Sequence, residues 1–145
     1  MRLAVVGKVL FFFPQMPDPP RSGLHRRCLE MLRLMRDADY EITFASSNLS
    51  GHAKWTREDA ARLERNLVKS VRIYEPGRFD RRFVRVLSLI YAKTPQEVAV
   101  DSWLYTPPGM RRWFRNLTAE ISPDIVLMTY ARWDGLLNHE RRASA

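Results

Sequence analysis

The run Leu3-Ala-Val-Val-Gly-Lys-Val-Leu-Phe-Phe-Phe13 constrains the fold more than any other feature of this chain. Its residues are apolar in succession rather than in alternation. A strand with one wet face alternates, whereas a strand buried on both faces of a parallel sheet reads as a continuous apolar run. Gly7 and Lys8 interrupt it, so the strand is either one half of the run or the whole with a bulge at Gly7. Ile125-Val-Leu-Met-Thr129 is a second run of the same kind. Strands of this type need a covering layer on each side, and the chain between them must supply it.

That intervening chain alternates. Pro14 to Gly23 holds four prolines and a glycine, which excludes helix and central strand and leaves a loop. Ser22 stands where a helix N-cap is wanted. Leu24 to Arg36 then carries Leu24, Cys28, Met31, Leu32 and Met35 at helical spacing, with arginines on the other face and a stop at Asp37-Ala-Asp39. Tyr40 to Ala45 alternates as a strand. Ser46 to Trp55 is polar and loop-like. Thr56 with Asp59 forms a capping-box start, and a helix to about Lys69 follows, with Leu63 and Leu67 apolar. Ser70 to Tyr74 reads as a third strand and Pro76-Gly77 as a turn. Helices are expected over Phe79 to Ala92 and from Pro107-Pro108 to Glu120, with 98–105 ambiguous between them. Ser122-Pro-Asp124 turns into the second apolar strand, and Trp133 to Ala145 reads as a helix or partial helix. The expected class is therefore α/β, a Rossmann-like, mainly parallel sheet flanked by helices. The chain stops one element after a buried strand, which reads as the front part of a longer protein.

Composition removes several alternatives. With 46% hydrophobic residues the chain is not a disordered one. One cysteine excludes a disulfide scaffold and a cysteine-rich zinc site, and three scattered histidines leave little room for a metal cluster. No metal is expected. No apolar run reaches spanning length, and the N-terminus is a poor signal peptide, having only Arg2 as a basic start. A cytoplasmic protein is the default expectation. The balance of 24 basic against 16 acidic residues, net +8, raises the expectation of an anionic partner: nucleic acid, a phosphate-bearing ligand or an acidic membrane surface.

The apolar first strand, the loop Pro17-Asp-Pro-Pro-Arg-Ser-Gly23, the helix start Leu24-His-Arg-Arg27, the strand Tyr40-Glu-Ile-Thr-Phe-Ala-Ser46 and the late Ser122-Pro-Asp-Ile-Val-Leu-Met-Thr129 occur in an order that resembles the N-terminal domain of GT-B glycosyltransferases, especially retaining family 4. Between residues 47 and 121 the likeness is one of element order alone. The resemblance implies that residues 1–145 are the acceptor-side Rossmann-like domain, that the donor-binding domain is absent, and that this chain alone does not transfer sugar. It implies a nucleotide-sugar as donor substrate, an acceptor of unknown identity and no further cofactor.

Candidate site residues follow. In similar glycosyltransferases a glycine of the first loop approaches the donor diphosphate; here that is Gly23, with Ser22 beside it, although family members often carry two adjacent glycines and this chain has one followed by Leu24. Arg26 and Arg27 lie in the first helical turn, where positive charge opposes the helix dipole, so an anionic donor or acceptor would give them a role. Thr129 stands where many family members have a histidine. Its hydroxyl can hydrogen-bond a sugar but cannot serve as an acid or base near neutrality. Tyr130 and Arg132 follow it as cleft residues, Arg132 suited to an anionic group. The structural alternatives are an ordinary N-cap and turn at Ser22-Gly23, a solvated face for the arginines, a surface position for His25 and a plain loop after Thr129. Asp18 and Asp134 are carboxylates near loops that no spacing pairs. Cys28 falls on the apolar helix face as a small buried hydrophobe. The basic amphipathic helices at 79–92 and 110–120 either cover the core or contact an anionic membrane peripherally.

Three other readings compete. A nucleic-acid-binding protein fits the charge, but the arginines are scattered and no recognition motif is present. An ordinary dinucleotide-binding domain lacks Gly-x-Gly-x-x-Gly after the first strand. A truncated, non-catalytic remnant is the third.

Overall fold

Four parallel strands form one sheet in the order β3-β2-β1-β4 in the computed structural model, which describes residues 5–49, 54–93, 103–129 and 135–137. The strands are β1 (Gly7–Phe12), β2 (Tyr40–Ser47), β3 (Ser70–Tyr74) and β4 (Ile125–Met128). The helices are α1 (Gly23–Asp37), α2 (Arg57–Asn66), α3 (Arg78–Tyr91) and α4 (Pro108–Ile121). All three pairings are parallel, with Phe11 opposite Phe44 of β2 on one side and Leu127 of β4 on the other. The expected α/β class, a Rossmann-like sheet flanked by helices, is what the chain forms. The first apolar run resolves into its second half, because β1 begins at Gly7. The first half lies partly outside the described residues, and Val5 and Val6 are exposed.

β1 is buried on both faces, which is why its sequence does not alternate. Val9, Phe11 and Phe13 share a cluster with Ile42 and Phe44 of β2. Cys28, Leu29 and Leu32 of α1 and Leu63 of α2 pack on that same cluster, so both helices cover one face of the sheet. Each such aliphatic side chain contributes about 1.5–3 kcal/mol by leaving water. Leu10 and Phe12 point to the opposite face and are also fully buried.

Local chemistry sets the ends of these elements. The Ser22 hydroxyl caps α1 by accepting from the His25 N–H at 3.3 Å. α1 ends where Asp39 takes a left-handed conformation, φ 60°, and its N–H returns to the Arg36 carbonyl. The capping box at α2 is complete, with Thr56 and Asp59 bonding each other's backbone N–H. At β4, Asp124 grips the backbone of Lys8. Its carboxylate accepts from Lys8 N–H at 2.8 Å, and its own N–H donates to Lys8 C=O at 2.9 Å. That pair of bonds is the physical content of the Pro-Asp that precedes the strand.

The chain divides into two compact units. One comprises Met1–Tyr74 with Ile121–Thr129, and so contains the sheet, α1 and α2. The other comprises Glu75–Glu120 with Tyr130–Ala145. Within the second unit, Asp80 of α3 is buried and accepts from Gly109 N–H at 3.1 Å. Arg111 of α4 is buried over the Trp103 ring, 3.6 Å from its centroid, and donates to the Thr106 carbonyl at 2.7 Å. Gly135 approaches this pair so closely that a Cβ there would collide with the Thr106 hydroxyl and the Arg111 guanidinium.

Candidate functional site

Strand order decides where a ligand can enter a sheet of this kind. From β1 the chain steps through α1 to β2 and through α2 to β3, always in one direction. It then returns past β1 to lay down β4 on the other side. The direction of winding reverses between β1 and β4. Open α/β sheets bind ligands outside the carboxyl ends of the strands at such a reversal, because the connections leave in opposite directions and open a crevice.

Two groups of expected site residues fall at this edge. The loop 13–22 leaves β1 there and delivers Ser22 and Gly23 to the N-terminus of α1. Thr129 follows β4 directly, its hydroxyl 3.4 Å from the Phe12 carbonyl as a long donor. Tyr130 and Arg132 lie outside the described residues, as does Asp134. Arg26 and Arg27 are on the exposed side of the first turn of α1, and no acidic residue shares that turn. The N–H groups of Gly23 and Leu24 have no acceptor within the helix, as at any helix start. Gly23 has open space around it: a Cβ there would meet nothing within 4 Å. The fold does not require glycine at this position.

The proline-rich loop is tied down at two points that the sequence did not announce. His25 is the first. The expected surface position of His25 is corrected by the structure, in which it is only 7% exposed. Its Nδ1 accepts from the Arg21 N–H at 3.1 Å, and Nε2 lies 2.9 Å from Gln15 Oε1. A ring nitrogen that accepts a backbone N–H carries no proton, so the neutral tautomer with hydrogen on Nε2 satisfies both partners. The ring also meets Phe13 edge-on, with centroids 5.8 Å apart. Burial, and after it the charge of Arg21, hold the imidazole below its ordinary pKa. Arg62 of α2 is the second tie. It donates to the Asp18 carboxylate at 2.8 Å, to the Asp18 carbonyl at 2.9 Å and to Asp59 at 3.0 Å. Asp18 is therefore a loop anchor engaged with arginine. Burial raises the Asp59 pKa, but the Thr56 hydroxyl and backbone bonds together with Arg62 outweigh it, and the carboxyl is held low. The loop also contains the cis Asp18–Pro19 bond.

The His25 tie makes the loop sensitive to pH. In the unfolded chain the imidazole binds a proton below about pH 6.5. In the folded chain its pKa is lower, so acidification through this range favours unfolding. Stability should fall as pH drops below about 6.5 and level off once the folded imidazole is also protonated. Asp59 adds its own loss only in the more acidic carboxylate range, below about pH 4, so the two windows separate. His25→Gln should flatten the first window and leave the second, read as urea midpoints from about pH 7.5 down to about pH 3. An unchanged slope in the variant would assign the first window to another group.

Cys28 is a buried thiol pushed up to about 12 by burial, and it has no nucleophilic role near neutral pH. No group of three or more histidine, cysteine, aspartate or glutamate residues able to hold a metal occurs among the described residues. No helix among them is long and apolar enough to cross a membrane. What the edge offers is a pinned loop, backbone donors, exposed arginine and a hydroxyl: groups that bind and orient an anionic or hydroxylated ligand. Compared with known proteins, the chain matches no family model, no curated protein and no solved structure.

Proposed function

We propose that this chain is the acceptor-side domain of a sugar transferase that uses a nucleotide-sugar donor and works together with a donor-binding domain. The observation that carries the reading is the reversal of winding between β1 and β4, with Gly23 following one strand and Thr129 the other. In this reading Gly23 lets a diphosphate come close to the backbone, and the N–H groups of Gly23 and Leu24 meet its charge. Arg26 and Arg27 would stabilise the charge that develops on the leaving diphosphate. Thr129 would hydrogen-bond a sugar hydroxyl. The order of motifs along the chain supports the transferase class, and the open surroundings of Gly23 are compatible with a ligand there.

Gly23→Ala tests the reading cleanly because the fold has room for the methyl group. Stability should hold, or rise by about 0.4–1 kcal/mol through lost freedom of the unfolded chain. Binding of pyrophosphate and of nucleoside diphosphate sugars, followed by calorimetry and ³¹P NMR, should weaken at least about tenfold, as expected when backbone approach is blocked. Equal binding by both proteins, or none by the unaltered chain, would remove the diphosphate role from this loop.

A further inference from the structure

Helix α3 wears its polarity the wrong way round for a helix that merely covers a core. Phe79, Phe83, Val86 and Ile90 recur at spacings of four, three and four, which makes one stripe. Phe79 is 68% exposed, and Val86 and Ile90 are each 56% exposed. The one acidic residue of the helix, Asp80, is meanwhile 2% exposed and spent on Gly109 N–H. Beside the apolar stripe runs a second one, Arg78, Arg82 and Arg85, continued by Leu89, which is 61% exposed. Phe79, Phe83, Val86 and Ile90, with Leu87 and Arg82, line a groove of about 450 Å³. Among the described residues its lining is apolar apart from Arg82.

We propose that α3 docks on an anionic lipid bilayer, with its phenylalanine-bearing stripe in the acyl boundary and its arginines at the headgroups. Charge selects this occupant. A basic helix with an exposed apolar stripe and no exposed acid matches a surface that is negative outside and apolar beneath. A second copy of the chain does not match. In a two-fold contact through this helix the facing α3 offers the arginines no exposed carboxylate, because its one acid, Asp80, is buried. Nucleic acid would satisfy the arginines and leave Phe79, Val86 and Ile90 in water. The groove fits an anionic amphiphile, whose chain meets the apolar walls while its headgroup meets Arg82. The proposal stands apart from the sugar-transfer reading and needs no residue of the sheet edge.

The test is flotation of the full chain with vesicles of phosphatidylcholine alone and of phosphatidylcholine carrying about 30% phosphatidylglycerol, at low and high salt. Binding is expected on the anionic vesicles only, and it should weaken as salt rises. The double change Phe79→Ser and Ile90→Ser should lower partitioning at least about tenfold, since it removes two apolar anchors. Arg82→Gln with Arg85→Gln should lower it about twenty-fivefold, at roughly fivefold per charge, and flatten the salt dependence. Arg82→Lys with Arg85→Lys should restore it. Arg81 is spared because it donates to the Pro76 carbonyl at 3.2 Å. Thermal unfolding checks each variant, and Val86→Ser repeats the apolar test with a single exposed change. The proposal fails if anionic vesicles do not float the chain, or if the serine variants bind as well as the parent. It also fails if the same stripe instead drives dimerisation in lipid-free ultracentrifugation, or if duplex DNA is bound more tightly than the anionic vesicles.

Discussion

Phe11→Ala is expected to cost about 3–5 kcal/mol, the range for emptying a fully buried phenylalanine site. Phe11 has no exposed surface and sits mid-strand in β1, the strand that pairs on both sides. Its ring stacks on Phe44 of β2 at 5.9 Å, and the two residues are register partners, so the side-chain contact and the strand pairing reinforce one another. β1 cannot slide to fill the space, because Asp124 holds the Lys8 backbone at its start and Phe13 N–H donates to the Ala45 carbonyl at its end. Domains have only about 5–15 kcal/mol of net stability, so the loss would take a large fraction of it. In urea, with a slope of about 1–3 kcal/mol per molar, the midpoint should drop by about 2 M. Leu34→Ala is the control. Leu34 is 70% exposed on α1, and truncating it should move stability by no more than about 0.5 kcal/mol. Equal effects from the two changes would mean that β1 is not the centre of the core.

The contrast between Phe11 and His25 shows what the sequence could and could not disclose. β1 was legible because an interior parallel strand has no wet face, and its unbroken apolar run reports that directly. The similar run of β4 gave the parallel strand but not its burial: β4 lies at the edge of the sheet, with Ile125 exposed and Val126 to Met128 half-buried. α1 and the start of α2 were legible because caps and helical spacing are local: Ser22 and the Thr56–Asp59 box bond within four residues. Strand order is not local. Nothing in residues 75–120 states that the chain returns past β1 before β4, and the candidate site depends on that return. His25 lies between Leu24 and Arg26 in an arginine-rich turn and reads as surface. Its depth is set by Gln15 and Arg21, which reach it only after the loop folds back. Arg62 carried no signal either, since its partner Asp18 is 44 residues away. Ser22, Gly23 and Thr129 could be singled out as the ends of elements. Their common edge required the fold.

Trp55→Ala should match Phe11→Ala in size, at about 3–5 kcal/mol, although its sequence context pointed the other way. The segment from Ser46 to Trp55 is mostly polar and reads as a loop, yet Trp55 is only 8% exposed and belongs to the core cluster. Its ring lies 5.8 Å from Phe44. Its indole N–H donates to the Ser46 hydroxyl at 2.8 Å, at a buried site, and its backbone N–H donates to the Asn48 side chain at 3.0 Å. The polar residues around it are thus its own partners: Ser46 and Asn48, at the carboxyl end of β2, receive the donors of a tryptophan that closes that end of the core. Truncation to alanine removes the ring and leaves the fully buried Ser46 hydroxyl without its donor. Trp55→Phe separates the two contributions. It keeps most of the apolar volume and loses the indole N–H, for an expected cost of about 1–3 kcal/mol. Urea unfolding of the two variants reads the difference. If phenylalanine costs as much as alanine, the bond to Ser46 carries the effect. If both cost under about 1 kcal/mol, the tryptophan does not close the core, since truncating a well-packed large side chain costs several times that.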